Sequence, residues 1–211
     1  VITIDEASHE GELPPENSYI EVNSDSTMVT VLKQAEDNED LRNNFQEAIN
    51  EYNVILSQNS WGSGYCLTDY SAMSKEYDSL VRGNNLSRPI NVVFAAGNVG
   101  EYRYICRPGG PAKNVITVGA TNSDKNNITS FSSRGPTDDG RIKPEVVAPG
   151  CQVNYDEGVN STLPGNEYGV YCGTSMAAPA VSGSIALIQE RFKEIFDRRP
   201  YPATVKGLLI H

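Results

Sequence analysis

Two short, continuously apolar runs constrain the fold of this chain most strongly. The runs are Asn91–Ala96, which ends at Gly97 and Asn98, and Val115–Ala120. Neither run alternates apolar with polar residues, so each is predicted to be a strand that is buried on both faces. Strands of this kind are typical of a parallel sheet that is covered by helices on both sides.

Amphipathic segments around these strands predict the covering helices. Apolar residues recur at helical spacing over 40–52, 71–81, 175–196 and, after Pro202, over 203–210. The order strand, helix, strand favours a three-layer α/β fold with a mostly parallel sheet and helices on both faces.

The remaining segments are less distinctive. Val54–Leu56 is predicted to be another short strand, and strand-like runs occur at Val1–Ile4 and Tyr19–Val22. Residues 1–35 otherwise allow no clear assignment. Since no linker, repeat or low-complexity tract divides the sequence, residues 1–211 are interpreted as a single domain.

Charge and cysteine content bear on partners and compartment. The formal net charge is −10, with acidic residues scattered along the chain, so neither nucleic acid nor a membrane is predicted as a partner. No apolar run approaches the roughly 20 residues that span a bilayer. The four cysteines lack Cys-x-x-Cys spacing and could form two disulfides in any of three pairings. Together with Asn-x-Ser/Thr sequons at Asn85, Asn127 and Asn160, they favour a secreted protein.

The run Gly-Thr-Ser-Met-Ala-Ala-Pro at 173–179 carries the clearest chemical signal. A serine at a helix N-terminus lies beside free backbone N–H groups, which together with the helix dipole favour negative charge on a carbonyl oxygen under attack. Ser175 is therefore predicted to be a nucleophile. The alternative is a serine that only caps its helix.

Four blocks over residues 54–210 resemble, in the same order, the subtilases, the subtilisin-like serine peptidases. They are Asn-Ser-Trp-Gly at 59–62, Ala-Ala-Gly-Asn at 95–98, Phe-Ser-Ser-Arg-Gly-Pro at 131–136 with the run 143–150, and the heptapeptide at 173–179. The resemblance is strongest to the branch of large bacterial alkaline proteases. It implies a subtilisin-like α/β fold and hydrolysis of peptide bonds in an extended protein or peptide substrate.

The resemblance also implies a role for each matched residue. Ser175 attacks the carbonyl, while the Asn98 amide and the Ser175 N–H bind the oxyanion. The segment 60–62 offers backbone groups to an extended peptide, and 95–97 forms one wall of the pocket for the residue before the scissile bond. Trp61 fits core packing equally well. The predicted substrate-binding residues are Ser60, Trp61, Gly62, Ala95, Ala96, Gly97 and Thr174.

The aspartate and histidine that subtilases carry before the serine have no counterpart here. His9 lacks the glycine and small residues of the family motif, His211 follows the serine, and Asp5 lacks the expected following residues. The chain is therefore expected to be the C-terminal portion of a subtilisin-like catalytic domain, inactive alone, with the N-terminal part of the fold as a partner. The alternative is a pseudo-peptidase that binds extended peptides. An α/β hydrolase fits less well, because its nucleophile motif has a second glycine.

The remaining expectations concern disulfides, ions and specificity. The places of the cysteines beside these blocks favour the pairs Cys66–Cys106 and Cys151–Cys172, with the segment between the second pair folding back on itself. No cofactor and no metal site is predicted, since no acidic cluster has calcium-ligand spacing, although the resemblance allows structural calcium in the complete domain. Arg107 is expected near the pocket floor, where it would favour an acidic or polar residue before the scissile bond.

Overall fold

The computed structural model of the chain describes residues 38–61, 69–100, 105, 109–123, 127–151, 158–163 and 165–211. Within these residues the elements are, in chain order, α1 (Asn38–Tyr52), β1 (Leu56–Asn59), α2 (Ala72–Arg82), β2 (Asn91–Ala95), β3 (Ile116–Thr121), β4 (Val146–Pro149), β5 (Val159–Leu163), β6 (Glu167–Tyr171), α3 (Thr174–Phe196) and α4 (Pro202–Ile210).

The strands β1 to β4 form one parallel sheet in chain order. All residues of β2 and β3 are buried, which confirms the prediction from their continuously apolar sequences. The strands β5 and β6 pair with each other as an antiparallel hairpin that is separate from this sheet.

Helices cover both faces of the parallel sheet. On one face, Tyr77 of α2 packs in a cluster with Phe94 of β2, and α1 contributes Ile49 to the same cluster. On the other face, Ile185 of α3 packs with Val93 of β2. Adjacent residues of β2 therefore point into different layers, as the alternation of a strand requires. The predicted three-layer α/β fold is confirmed.

Helix boundaries predicted from periodicity agree with the structure to within two residues at each end. The helix α2 starts where expected because the Ser71 hydroxyl caps it, accepting a hydrogen bond from the Ser74 N–H at 3.2 Å. None of the helices in the described part of the chain is long and apolar enough to cross a membrane.

The strand predictions are less accurate than the helix predictions. The strand predicted at Val54–Leu56 was wrong in position, because the residues that pair with β2 are Leu56–Asn59. Three strands, β4, β5 and β6, were not predicted. All of their residues are exposed or half-buried. The strands β5 and β6 lack a continuous apolar run, and the apolar run of β4 is only four residues long and contains Pro149, so none gave a clear strand signal. The strand-like runs expected within residues 1–35 lie outside the described residues.

A buried ion cluster joins β3, β4 and α4 at the edge of the sheet where β3 and β4 begin. The Glu145 carboxylate contacts Lys143 Nζ at 2.7 Å and Lys206 Nζ at 2.5 Å, and it accepts a hydrogen bond from the Thr117 N–H at 2.9 Å. Lys143 Nζ also donates to the Val115 carbonyl at 3.2 Å. Two ammonium groups thus share one carboxylate, so the cluster carries an excess positive charge.

We expect this cluster to raise the free energy of unfolding at alkaline pH. Burial lowers the pKa of Lys143 from its ordinary 10.5 to about 8, against the opposing attraction of Glu145. Between these two values the unfolded chain binds more protons than the folded chain, so the free energy of unfolding contributed by this residue increases with pH. We expect the wild type to gain stability relative to Lys143→Met between pH 8 and about pH 10. Urea unfolding of both proteins at several pH values measures their free energies of unfolding. A difference between the two free energies that stays constant with pH would contradict the expectation.

Candidate active site

Residues after the ends of the parallel strands meet the start of α3 at one edge of the sheet. Asn59 ends β1, Ala95 ends β2, and Pro149 ends β4. The Gly173 N–H, at the start of α3, donates a hydrogen bond to the Gly150 carbonyl at 2.8 Å. Because carboxyl ends of parallel strands share one edge, segments that are far apart in sequence come together here.

Ser175 is the second residue of α3 and is buried, with 3% of the residue exposed. Its Oγ donates a hydrogen bond to the Ser60 carbonyl at 3.3 Å. In return the Ser60 hydroxyl donates to the Ser175 carbonyl at 3.1 Å. The predicted nucleophile is therefore in direct contact with the block that follows β1.

Asn98 is fixed beside the same helix start by its amide oxygen. Its Oδ1 accepts hydrogen bonds from the Thr174 N–H at 3.0 Å and from Thr174 Oγ1 at 2.8 Å. Thr174 Oγ1 in turn accepts from the Gly97 N–H at 3.1 Å. With its oxygen engaged in this way, Asn98 keeps Nδ2 as a donor. Thr174, which is fully buried, orients Asn98.

Gly173 leaves open a space that lies near two possible donors. Its φ of 155° is a conformation that L side chains rarely adopt. A Cβ at this position would lie 3.4 Å from Asn98 Nδ2 and 3.6 Å from the Ser175 nitrogen. The space beside Gly173 therefore faces both predicted oxyanion donors. This arrangement can stabilise negative charge on an oxygen next to the Ser175 hydroxyl.

The other predicted binding residues differ in their surroundings. Ala95 and Ala96 are fully buried, and Gly97 is buried beside them. Trp61 is half-buried, with its ring packed edge-on against Phe94 at a centroid distance of 5.7 Å. The core contact proposed as an alternative for Trp61 is thus present. Gly62 and Arg107 lie outside the described residues.

The segment after β3 supports the turn that carries Asn98. The Ser133 N–H donates to the Gly97 carbonyl at 3.0 Å, and the Val99 N–H donates to Ser133 Oγ at 3.2 Å. Ser132 Oγ accepts from the Ala120 N–H at 3.0 Å. The sequence assigned no role to these two serines, which are both fully buried. The only feature of the sequence that could have indicated their role is that they lie side by side in the matched block at 131–136.

A disulfide flanks the entry to α3. Cys151 follows β4, Cys172 precedes Gly173, and the two are bonded, which confirms that predicted pair. The hairpin β5–β6 lies between them, so the intervening segment folds back on itself as expected. Cys66 and Cys106, the other predicted pair, lie outside the described residues.

Gly150 provides a test of how closely β4 holds the start of α3. A Cβ at Gly150 would lie 2.5 Å from the Gly173 carbonyl oxygen and 2.7 Å from the Ala120 Cβ. We expect Gly150→Ala to lower the free energy of unfolding by about 1–3 kcal/mol, because both neighbours must move. Urea unfolding measures the loss. The control is Gly207→Ala in α4, where nothing lies within 4 Å of the new Cβ and stability should hold or rise slightly. Equal effects of the two changes would contradict the expectation.

The predictions on metal ligands and on the triad concern His, Cys, Asp and Glu side chains. In that part of the chain, no three His, Cys, Asp or Glu side chains gather as a metal site requires. The one histidine it contains is His211, directly after α4. Asp5 and His9 lie outside the described ranges.

The parallel sheet, with a serine at a helix start beside the Asn98 amide, is an arrangement that fits the class of α/β serine hydrolases. A comparison with protein families gives a more specific result. The chain matches the subtilase family (Peptidase_S8) over residues 22–211, and it belongs to that family. The family expected from the four sequence blocks is confirmed.

Individual relatives agree with this assignment. The chain is 36% identical over 151 residues to "Serine protease AprX" of Bacillus subtilis (strain 168), a match that covers 64% of this chain and 33% of the relative. It is 41% identical over 129 residues to "Subtilisin E" of the same organism, covering 58% and 30% respectively. The chain thus spans about a third of the length of these two relatives.

Solved structures show the same fold. The patellamide maturation protease PatA superposes with a TM-score of 0.62 at 27% identity, over 82% of this chain and 57% of PatA. The prenylagaramide maturation protease PagA gives the same TM-score at 22% identity, over 88% of this chain and 58% of PagA. The similarity to PagA bears on the fold alone.

Proposed function

We propose that this chain is the nucleophile-bearing part of a serine endopeptidase. In the proposed reaction the Ser175 hydroxyl attacks a peptide carbonyl, and the carbonyl oxygen becomes negatively charged. Asn98 Nδ2 and the Ser175 N–H donate hydrogen bonds to that oxygen. A histidine takes the proton of Ser175 and passes it to the leaving amine as the peptide C–N bond breaks. Water then hydrolyses the acyl-enzyme and frees Ser175.

The convergence of donors beside Gly173 carries this proposal. Asn98 Nδ2 and the Ser175 nitrogen lie 3.4 Å and 3.6 Å from one point in the space left by the absent side chain. The N–H and the hydroxyl of Thr174 both donate to the amide oxygen of Asn98. The Asn98 amide therefore need not reorient when negative charge develops on the substrate oxygen. Donors fixed in advance in this way stabilise a transition state more than they stabilise a neutral substrate.

The sheet supports an extended peptide as the substrate. In the described part of the chain, β1 is an edge strand of the parallel sheet, and the predicted binding segment 60–62 continues from it. A substrate that lies along this segment would bond to backbone groups, while Ala95, Ala96 and Gly97 form the adjacent wall. Specificity would then depend on the side chain that enters the pocket, and Arg107 remains the proposed charged contact there.

The general base and its aspartate are proposed to come from outside the described residues, on the N-terminal part of the catalytic domain. Residues 1–211 alone should then lack peptidase activity. We also propose that the protein acts outside the cytosol, since the Cys151–Cys172 disulfide is of the kind that persists under oxidising conditions. No cofactor enters the proposed reaction.

A fluorophosphonate probe tests the proposal, because it reacts with a serine only where a base activates that serine. We expect labelling at Ser175 in the full-length protein and none in residues 1–211. An unlabelled full-length protein that still binds extended peptides would instead identify a pseudo-peptidase.

A further inference from the structure

The helix α3 contains a proline four residues after the predicted nucleophile. In a regular helix the N–H of residue 179 would donate to the carbonyl of residue 175. Pro179 has no N–H, so the Ser175 carbonyl lacks its usual helical donor. A buried carbonyl without a donor is costly, and it belongs here to the residue whose position matters most for the proposed reaction.

Ser60 supplies the missing hydrogen bond from another part of the chain. Its hydroxyl donates to the Ser175 carbonyl at 3.1 Å, and only 2% of Ser60 is exposed, so water has little access to it. The bond joins residues 115 positions apart. The end of β1 therefore replaces a bond that α3 cannot make for itself.

Gln58 fixes the direction of the Ser60 hydroxyl. Gln58 Nε2 donates to Ser60 Oγ at 2.6 Å. Ser60 has a single hydroxyl proton, which it gives to the Ser175 carbonyl, so its remaining neighbour must be a donor. Gln58 and Ser60 are two positions apart, so their side chains emerge on the same side of the extended chain.

We propose that Gln58 and Ser60 are positioning residues that hold Ser175 in its reactive place through this chain of hydrogen bonds. The inference rests on the proposed function for its catalytic consequence. Neither side chain touches substrate in this scheme. They fix the Ser175 backbone, and with it the direction of the Ser175 N–H and hydroxyl relative to Asn98.

A stability experiment on the full-length protein tests the hydrogen bond without requiring activity. Ser60→Ala should lower the unfolding midpoint by about 2–4 °C, because it leaves the Ser175 carbonyl without a donor. Pro179→Ala restores an N–H at the helical position. In the Pro179→Ala background, Ser60→Ala should therefore cost less than half as much. An equal loss in both backgrounds would overturn the proposal.

A kinetic experiment tests the role of Gln58. An ionised glutamate in Gln58→Glu accepts from the Ser60 hydroxyl and draws its proton away from the Ser175 carbonyl. We expect about a tenfold loss in kcat at pH 8 with KM changed less than twofold, equivalent to about 1.4 kcal/mol. A protonated glutamate can donate again, so the ratio of variant to wild-type rate should rise as the pH falls toward 5. Gln46→Glu on α1 carries the same charge change away from the site and is the control.

The outcomes separate this inference from the proposed function. If the wild type is never labelled but Pro179→Ala still rescues Ser60→Ala, the hydrogen-bond chain stands and the proposed function fails. If the wild type is active and Gln58→Glu behaves as Gln46→Glu at every pH, the role of Gln58 is overturned while the proposed function stands.

Discussion

Replacing Ser175 by alanine should abolish fluorophosphonate labelling of the full-length protein and lower its kcat by about 10⁶-fold, the effect that loss of a triad serine has in this class. The reason is that Ser175 carries the hydroxyl that attacks the carbonyl in the proposed reaction. Stability should change by less than about 1 kcal/mol, because Ser175 Oγ makes only a long bond of 3.3 Å to the Ser60 carbonyl.

A second serine on the same helix provides the control for this experiment. Ser184 Oγ donates to the Ala180 carbonyl at 3.1 Å on an exposed face of α3. Ser184→Ala should therefore leave both labelling and kcat unchanged. Mass spectrometry of the labelled peptide identifies the reacting residue, and a probe bound elsewhere in the Ser175→Ala protein would contradict the assignment.

Asn98→Asp is expected to produce the second largest effect. The substitution keeps an oxygen for both Thr174 bonds, but it replaces the Nδ2 donor with a negatively charged oxygen that faces the oxyanion position. Loss of such a donor costs about 10²–10³-fold in kcat, and the added charge should make the loss at least that large. Because the donor acts on charge that develops during the reaction, KM should change little.

Steady-state kinetics on a peptide substrate measures this effect. Asn84→Asp, in the exposed turn after α2, adds the same charge away from the site and should leave kcat unchanged. A decrease of less than tenfold in Asn98→Asp would show that Asn98 does not stabilise the oxyanion.

The central strands and the helix start at Ser175 were predictable because their signals are local. Burial on both faces leaves a continuous apolar run in β2 and β3, and a helix leaves its own periodicity in sequence. The hairpin β5–β6 left no such pattern, because a two-stranded hairpin with exposed residues such as Tyr168 and Val170 needs little apolar sequence. Its fold-back was expected only from the cysteines on either side.

Ser175 and Asn98 of the candidate site could be proposed from sequence more easily than the residues that support them. Ser175 and Asn98 lie in short motifs, whereas Gln58 and Ser133 act through partners that only the fold brings near. Lys143 also appeared within a matched block, yet nothing local indicated that Lys206 would share Glu145 with it. Long-range polar contacts of this kind depend on topology and leave no periodic trace in the sequence.

The bond between Ser60 and Ser175 also bears on the order of events during synthesis. Its two residues are separated by 115 positions, so the ribosome releases the end of β1 long before α3 exists. Contacts of such high sequence separation form late, after the intervening chain has been placed. The nascent polypeptide would therefore present no assembled nucleophile until α3 packs against the sheet. Under the proposed function, the protein would in this way stay harmless to neighbouring chains while it is being made.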